Sequence, residues 1–298
     1  MGALGWRDLA LAVLVSVVWG VAFVATRIAL DDFSPPQLTT LRFLIAAVPA
    51  AFLARPPVSW PVLVAVGLSL FAGQFLFQFF GIATGMPPGL ASVVVQTQAF
   101  FTVLFAAVAL GERPTRRQTA GMAAALLGVL LIAATVGQNL TAVGLALGLL
   151  SAISWGIGNI LLKRLAPVDL FSLMAWLCLI PPLPALALSL ALDGPAAPAH
   201  ALRAASWAGL GAALYLGVVA TTLAYAIWGR LLRRYTAATV APFALLVPFV
   251  AALSSSAVFG ERFGPLRLAG MACVLAGVVL VALPAAARGE ALEGREAT

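Results

Sequence analysis

The sequence has 298 residues, of which 63% are hydrophobic and only 9% are charged, and its mean hydropathy is +1.08. Soluble domains carry about 25% charged residues, so the composition excludes a soluble protein and predicts an integral membrane protein. The formal net charge of +7 does not indicate nucleic-acid binding in such a chain, because basic loops orient a protein in the bilayer. The protein is therefore expected to contact the lipid bilayer and no nucleic acid.

Charged residues, prolines and glycines divide the sequence into ten candidate membrane spans. The stretches 56–111 and 118–162 carry no charge and each exceeds the roughly 20 residues of one membrane helix, so each holds two spans. Arg42 lies inside the second span, where its long stem is expected to carry the guanidinium to the membrane interface. The predicted spans are 8–30, 37–54, 61–83, 89–110, 117–135, 141–163, 170–191, 205–229, 236–259 and 265–285.

Two parts of the sequence occur twice. The segment from Leu110 to Leu131 returns 149 positions later as Phe259 to Leu280, with 11 of 22 positions identical, and both copies begin with Gly-Glu-Arg after the first residue. Trp19-Gly20 likewise returns 136 positions later as Trp155-Gly156. Such self-similarity indicates duplication of one structural unit. We expect a first five-helix repeat over 1–137, a second over 138–287 and a cytoplasmic tail over 288–298.

An odd number of spans in each repeat has a topological consequence. The two copies must cross the membrane in opposite senses, which is the arrangement of many secondary transporters with a substrate site at the midplane. The predicted fold class is thus an all-α integral membrane protein, with ten transmembrane helices in two inverted five-helix repeats around a central cavity. With the N-terminus inside, 12 Lys and Arg residues fall on the inner side and 5 on the outer side, which predicts cytoplasmic termini.

The repeated Gly-Glu-Arg segments fall in loops on opposite sides of the predicted membrane. Glu112 and Glu261 are expected to pair with arginine and to cap the following helix, with a direct gating role as the alternative. Glycines recur seven residues apart on one face of each repeated helix, where they allow close helix packing. These glycines are Gly121, Gly128, Gly270 and Gly277.

Amides and aromatic rings are the polar and adaptable groups of the predicted membrane core. An unpaired amide in hydrocarbon costs several kcal/mol, so these side chains should face a wet cavity or bridge helices. Trp19 and Trp155 occupy equivalent places in the two repeats, and packing or a position at the membrane interface is the alternative for the aromatic residues. The candidate substrate-binding residues are Trp19, Phe23, Gln74, Gln78, Ser92, Gln96, Trp155, Asn159, Trp176 and Tyr225.

Residues for catalysis or for a cofactor are scarce. The sequence has one histidine, His200, and no spacing of Cys, His and carboxylates typical of a metal site, nor a phosphate-binding loop. All ten carboxylates fall at span ends, in loops or in the tail, so the membrane core lacks an obvious proton carrier. Cys178 and Cys273 lie in apolar runs and are expected to pack as small hydrophobes. We expect no cofactor, no metal and no catalytic residues.

The sequence resembles a known family over residues 8–285, and several motifs carry the resemblance. They are Trp-Gly in the first span, Leu41-Arg42-Phe43, the run from Gly85 to Phe101, and both copies of Gly-Glu-Arg followed by Ala-Gly. Here the sequence resembles the ten-helix EamA-type exporters of the drug/metabolite transporter superfamily, which share their plan with YddG-type exporters. The resemblance implies export of amino acids from the cytoplasm across a bacterial-type inner membrane. Some relatives couple to protons through a Glu in the first span, where this sequence has no carboxylate.

These observations favour an exporter of neutral, zwitterionic amino acids and related small metabolites, working by alternating access and driven by the substrate gradient. A cavity without fixed charge would suit a solute of zero net charge, with amides and ring faces as its contacts. Two alternatives remain open from the sequence. The first is efflux of hydrophobic cationic drugs, and the second is a membrane-bound lipid-modifying enzyme. The oligomeric state is left open.

Overall fold

The computed structural model describes residues 5–282, and every regular element in that range is helical. Residues 283–287 of the predicted second repeat and the predicted tail at 288–298 lie outside the described range. Short helical turns occupy Val48–Ala51 and Ala237–Val240. The helices are α1 (Trp6–Ala29), α2 (Pro35–Ala46), α3 (Trp60–Ala83), α4 (Pro88–Leu110), α5 (Arg116–Ala133), α6 (Ala142–Lys163), α7 (Leu170–Leu192), α8 (Ala197–Ala204), α9 (Trp207–Arg234), α10 (Ala241–Phe259) and α11 (Pro265–Ala282).

Eight of these helices are long and apolar enough to cross a membrane, namely α1, α3, α4, α6, α7, α9, α10 and α11. Each coincides with a predicted span, although α9 continues to Arg234, five residues beyond its predicted end at 229. Large apolar side chains cover the outside of the bundle, and Phe52 and Trp207 are 83% and 90% exposed. Such a surface would be unfavourable in water and is stable against lipid tails. The chain is therefore an all-helical, multi-pass membrane protein.

Local sequence signals place the starts of the helices. Ser34 and Thr115 each form a capping box, in which the hydroxyl accepts from the backbone N–H of the third residue of α2 and α5. Asp169, Ser206 and Thr141 cap α7, α9 and α6 with a single side-chain oxygen. These contacts pair backbone N–H groups that the helix geometry itself leaves without acceptors.

The four repeated glycines lie where α5 and α11 cross. A Cβ atom added at Gly128 would lie 2.6 Å from the carbonyl oxygen of Gly270, and one added at Gly121 would lie 2.7 Å from that of Gly277. A side chain at either position would collide with the backbone of the other helix. The expectation that these glycines allow close helix packing is confirmed.

Several helices change their hydrogen-bonding pattern near the middle of the bundle. Leu68–Gly73 of α3 and Tyr215–Leu223 of α9 are π-helical, and α10 begins with the 3-10 turn Ala241–Leu246. α7 is interrupted between Leu177 and Pro182, where Pro181 and Pro182 cannot donate backbone hydrogen bonds to the preceding turn. Such irregular turns release carbonyl groups to side chains of neighbouring helices, and the hydroxyl of Ser154 donates to the carbonyl of Ser69 at 2.7 Å.

Contacts of charged side chains mark the two ends of the bundle. At one end, here called the Lys163 end, Lys163 pairs with Glu112 at 2.5 Å and Arg233 pairs with Asp169 at 2.6 Å. At the opposite end, here called the Glu261 end, the hydroxyl of Ser206 donates to Asp32 at 2.6 Å. The Glu112 pair is about half exposed, so screening by water and salt leaves it worth about 1 kcal/mol or less.

The glutamates of the two Gly-Glu-Arg segments make contacts other than those expected from the sequence. Glu261 does not cap α11, which follows it, but accepts hydrogen bonds from the backbone N–H groups of Gly89 at 3.0 Å and Leu90 at 3.3 Å, at the start of α4. The hydroxyl of Ser255 also donates to it. Glu112 pairs with Lys163 rather than with arginine. The expectation for both residues was therefore wrong in its partners, because sequence neighbours are not spatial neighbours at these loops.

Candidate functional site

A cavity of about 450 Å³ lies in the bundle and is lined by side chains from α1, α2, α3, α4, α6, α7, α9 and α10. Its volume is in the range of small-molecule sites. Leu162, Leu170 and Leu232 line it and are the sequence neighbours of Lys163, Asp169 and Arg233, so the cavity extends to the Lys163 end. At the other end, residues Pro88–Val95 of α4 are all buried.

Nine of the ten candidate residues line this cavity. They are Trp19, Phe23, Gln74, Gln78, Ser92, Gln96, Trp155, Asn159 and Tyr225. Gln74 and Gln78 are four residues apart and share one face of α3, where the amide nitrogen of Gln74 donates to the amide oxygen of Gln78 at 3.2 Å. Both side chains are 4% exposed. The candidates from the sequence and the lining of the cavity therefore overlap at these nine positions.

Trp176 is the exception and does not line the cavity. Its indole N–H donates to the carbonyl of Leu53 at 3.2 Å, and its ring packs at 6.0 Å from that of Trp60. Met174 lines the cavity instead. Because two residues advance a helix by about 200°, Trp176 points away from the face that Met174 presents. The expectation that Trp176 lines the cavity was wrong.

An aromatic wall closes one side of the cavity. The ring of Trp19 lies 5.1 Å from that of Trp228 and 5.7 Å from that of Tyr225. The indole N–H of Trp19 donates at 3.0 Å to the carbonyl of Ala220, within the π-helical part of α9. The irregular turn thus supplies the acceptor that orients Trp19. The three aromatic residues line the cavity, where such rings can contact an apolar side chain or an ammonium group.

An amide cluster forms a second part of the wall. The amide nitrogen of Asn159 donates to the side-chain oxygen of Gln98 at 2.8 Å and to the hydroxyl of Thr102 at 3.0 Å. The hydroxyl of Ser92 is already used, since it donates to the carbonyl of Gly89 at 2.6 Å. Gln98 also lines the cavity, although two residues advance a regular helix by about 200° from Gln96, because α4 is interrupted at Gln96 and Thr97.

Arg42 is the lining residue that sequence reasoning misplaced. Its side chain is 4% exposed and faces the cavity instead of reaching the membrane interface. The expectation of a cavity without fixed charge was therefore wrong. A signal for this position was present in the sequence, because an ionisable residue inside a membrane span is a functional-site hypothesis by default. Within residues 5–282, no group of three or more His, Cys, Asp and Glu side chains is placed to hold a metal ion.

Comparison with known proteins identifies the family. The model of the EamA-like transporter family matches residues 6–134 and again residues 142–283. The chain belongs to the EamA-like transporter family. Membership of this family makes it a membrane transporter, and the two matched ranges lie one in each half of the chain.

Several EamA relatives align over almost the full chain. A probable amino-acid metabolite efflux pump of Salmonella typhimurium is 42% identical over 281 residues, which cover 92% of this chain and 94% of the relative. A protein with the same description from Escherichia coli K12 is 40% identical over the same shares of both chains. A probable terminal-alkyne amino-acid exporter of Streptantibioticus cattleyicolor is 30% identical, covering 90% of this chain and 91% of its own.

A solved crystal structure supports the fold alone. It superposes with a TM-score of 0.61 at 20% sequence identity, and the match covers 98% of this chain and 99% of the other.

Proposed function

We propose that this protein exports neutral, zwitterionic amino acids and related small metabolites by alternating access, driven by the substrate's own gradient. In this proposal α2 and α5 also cross the membrane, which gives ten spans in two inverted repeats of five. α2 packs against α7, α9 and α3, and α5 packs along α11. Both helices are therefore parts of the bundle, although α2 has only 12 residues and α5 begins with two arginines.

The observation that carries the proposal is the central cavity. Residues from both halves of the chain line it, it reaches the Lys163 end, and α4 is buried at the Glu261 end. Such an arrangement is what a transporter open to one side of the membrane requires. The excess of Lys and Arg at the Lys163 end makes that end cytoplasmic in our proposal, so the structure corresponds to an inward-open state.

The chemistry of the wall and the names of relatives together support the substrate class. Amide groups from Gln74, Gln78 and Asn159 and the ring faces of Trp19 and Tyr225 can bind the polar ends and the side chain of an amino acid. Full-length relatives are described as an amino-acid metabolite efflux pump and an amino-acid exporter. Efflux of cationic drugs has less support, because the guanidinium of Arg42 in the wall repels a cation.

Transport of a labelled amino-acid panel into proteoliposomes tests the proposal. We expect saturable, exchangeable uptake that a pH gradient does not change, and loss of most uptake in Trp19→Ala and Gln78→Ala, because each removes part of the wall. Trp207→Ala is the matched control, since Trp207 is 90% exposed and does not line the cavity. Stimulation by a pH gradient would contradict the driving force, and absence of uptake for every amino acid would contradict the substrate class.

A further inference from the structure

We propose that Arg42 is the carboxylate anchor of the central cavity, and that the cavity accepts small solutes with a free carboxylate even when they lack an ammonium group. This inference rests on the proposed transport function and defines its substrate class more narrowly. It assigns a ligand group to a buried cation whose charge has no counter-ion within the described part of the chain.

The first argument is the way in which the guanidinium is held. Its Nε donates to the hydroxyl oxygen of Thr221 at 3.1 Å, and the same hydroxyl donates at 2.8 Å to the carbonyl of Leu216. Because that second bond orients the hydroxyl, a lone pair of Thr221 points at Nε. The π-helical turn Tyr215–Leu223 creates this arrangement, in which the bond spans five residues. The guanidinium is thereby fixed in one orientation before any ligand arrives.

The second argument is that the remaining guanidinium nitrogens lack hydrogen-bond acceptors in the described part of the protein. Within residues 5–282 the Nε bond to Thr221 is the hydrogen bond that Arg42 makes, and Nη1 and Nη2 donate to no protein acceptor. Of the side-chain N and O atoms fully enclosed in that range, the hydroxyl of Ser151 is the one without a partner. Nη1 and Nη2 are therefore not sealed in protein but face the cavity that Arg42 lines. Two such nitrogens match the two oxygens of a carboxylate.

Aromatic rings support the guanidinium without neutralising it. Its central carbon lies 4.0 Å from the ring centre of Phe75 and 5.5 Å from that of Phe43. Cation–π contacts of this kind compensate part of the desolvation of an arginine. They occupy the face of the guanidinium and leave its nitrogen edge free for an anion.

The third argument is the charge of the whole wall. No Asp or Glu lines the cavity, and the four ion pairs among the described residues do not include Arg42. The empty cavity thus carries a positive charge inside the bundle. Buried charges are retained in proteins when a partner compensates them. A solute carboxylate supplies that partner. The structural alternative is seen at Arg267, whose nitrogens are occupied by acceptors on Thr135, Gln138 and Asn139, whereas Nη1 and Nη2 of Arg42 have no such acceptors within residues 5–282.

The wall treats the two ends of an amino acid differently. A carboxylate finds the charged donors of Arg42, while an ammonium group finds neutral acceptors, the amide oxygens and the ring faces of Trp19 and Trp228. Loss of the carboxylate therefore costs more affinity than loss of the ammonium charge. The cavity should distinguish a free acid from its amide and should tolerate an acylated amino group.

A set of three ligands of similar size tests this asymmetry on the full-length, purified protein. Leucine has both charges, N-acetyl-leucine keeps the carboxylate alone, and leucinamide keeps the ammonium alone. We expect leucine and N-acetyl-leucine to bind in calorimetric titrations and leucinamide to bind at least about tenfold more weakly. In Arg42→Gln the two acids should lose about tenfold or more in affinity, so that the preference over leucinamide disappears.

Three further measurements separate binding from folding. Arg42→Lys keeps the positive charge but loses the paired N–H donors of the guanidinium, and it should retain the preference for acids at reduced affinity. The melting temperature of ligand-free Arg42→Gln should not fall, because an uncompensated buried charge has been removed, whereas the stabilisation by N-acetyl-leucine should be lost. Arg27→Gln, which removes an exposed arginine outside the cavity, is the control and should bind like the wild type.

The outcomes separate this inference from the proposed function. Binding of leucine by the wild type with equal binding of leucinamide, or an unchanged preference in Arg42→Gln, overturns the inference and leaves amino-acid export standing. Arg42-dependent binding of N-acetyl-leucine without binding of leucine supports the inference and overturns zwitterionic amino acids as the substrate. Failure of all three ligands to bind overturns both.

Discussion

At the scale of single residues, close approach of backbones decides which positions tolerate a side chain. Where α5 and α11 cross, Gly128 lies against the backbone of Gly270 and Val274. These contacts leave less room than one methyl group needs. Alanine is as apolar as glycine, so the restriction at this position comes from space and not from polarity. The spacing of the glycines in the sequence therefore indicates that the backbones of α5 and α11 lie unusually close together.

We expect Gly128→Ala to destabilise the protein by about 1–3 kcal/mol, since its Cβ would lie 2.6 Å from backbone atoms that cannot rotate away. Thermal unfolding in detergent measures the effect. Gly211→Ala is the matched control, because a Cβ there meets no atom within 4 Å and alanine suits a helix better than glycine. Equal melting temperatures for the two variants would show that α5 and α11 separate without cost.

At the scale of helices, the chain uses polar side chains to pair the backbone groups that helix ends and irregular turns leave free. Glu261 pairs two N–H groups at the start of α4, and Trp19 uses a carbonyl of the π-helical turn in α9. Burial raises the pKa of the Glu261 carboxyl, while its hydrogen bonds with Ser255, Gly89 and Leu90 and the charge of Arg267 act in the opposite direction. The carboxyl thus couples the packing of this end to pH.

The raised pKa predicts a pH dependence of stability. The folded protein binds the Glu261 proton more tightly than the unfolded chain, so the contribution of this group is full below the ordinary glutamate pKa of about 4.3. It is lost as the pH rises through the raised value. Relative to Glu261→Gln, which cannot titrate, the melting temperature of the wild type should fall as the pH increases from about 4. A difference that does not vary with pH would contradict a raised pKa.

At the scale of the whole molecule, the asymmetric distribution of Lys and Arg predicts how the bundle lies in the membrane. Lys163 and Arg233 lie at the end to which the cavity extends, and Arg113 lies close by in the loop after α4. The positive-inside rule predicts that this is the cytoplasmic end, as in the proposed function. An exporter must accept its substrate from that side, so the orientation and the proposed direction of transport agree.

Labelling of single cysteines in intact cells tests this orientation. In a background with Cys178 and Cys273 replaced by alanine, we expect a membrane-impermeant maleimide to label His200→Cys in α8 but not Arg113→Cys. Both positions are exposed, so access depends on the side of the membrane alone. Disruption of the cells should make Arg113→Cys reactive. The reverse pattern would place the cavity opening outside and would contradict export from this state.

The sequence by itself determined the elements of this protein. Lipid requires long apolar helices, so the apolar stretches of the sequence located, to within a few residues, the eight helices that are long and apolar enough to cross a membrane. The helical period of 3.6 places Gln74 beside Gln78, and residue type together with the repeat selected candidates of which nine of ten line the cavity. Both results depend on neighbours within one helix, where local geometry fixes which side chains share a face.

The tertiary structure alone decided the contacts between elements. Thr221 lies 179 positions from Arg42, and Gly89 lies 172 positions from Glu261, so no local pattern indicates either partner. From the sequence alone, the side chain of Arg42 is expected to extend to the membrane interface. Its contacts with Phe75 and with Thr221 of α9 direct it into the cavity instead. Trp176 was expected in the cavity but lies outside it. The rotation of α7 about its axis is set by the neighbouring helices, and it directs Met174 towards the cavity. Side-chain direction relative to other helices is a property of packing.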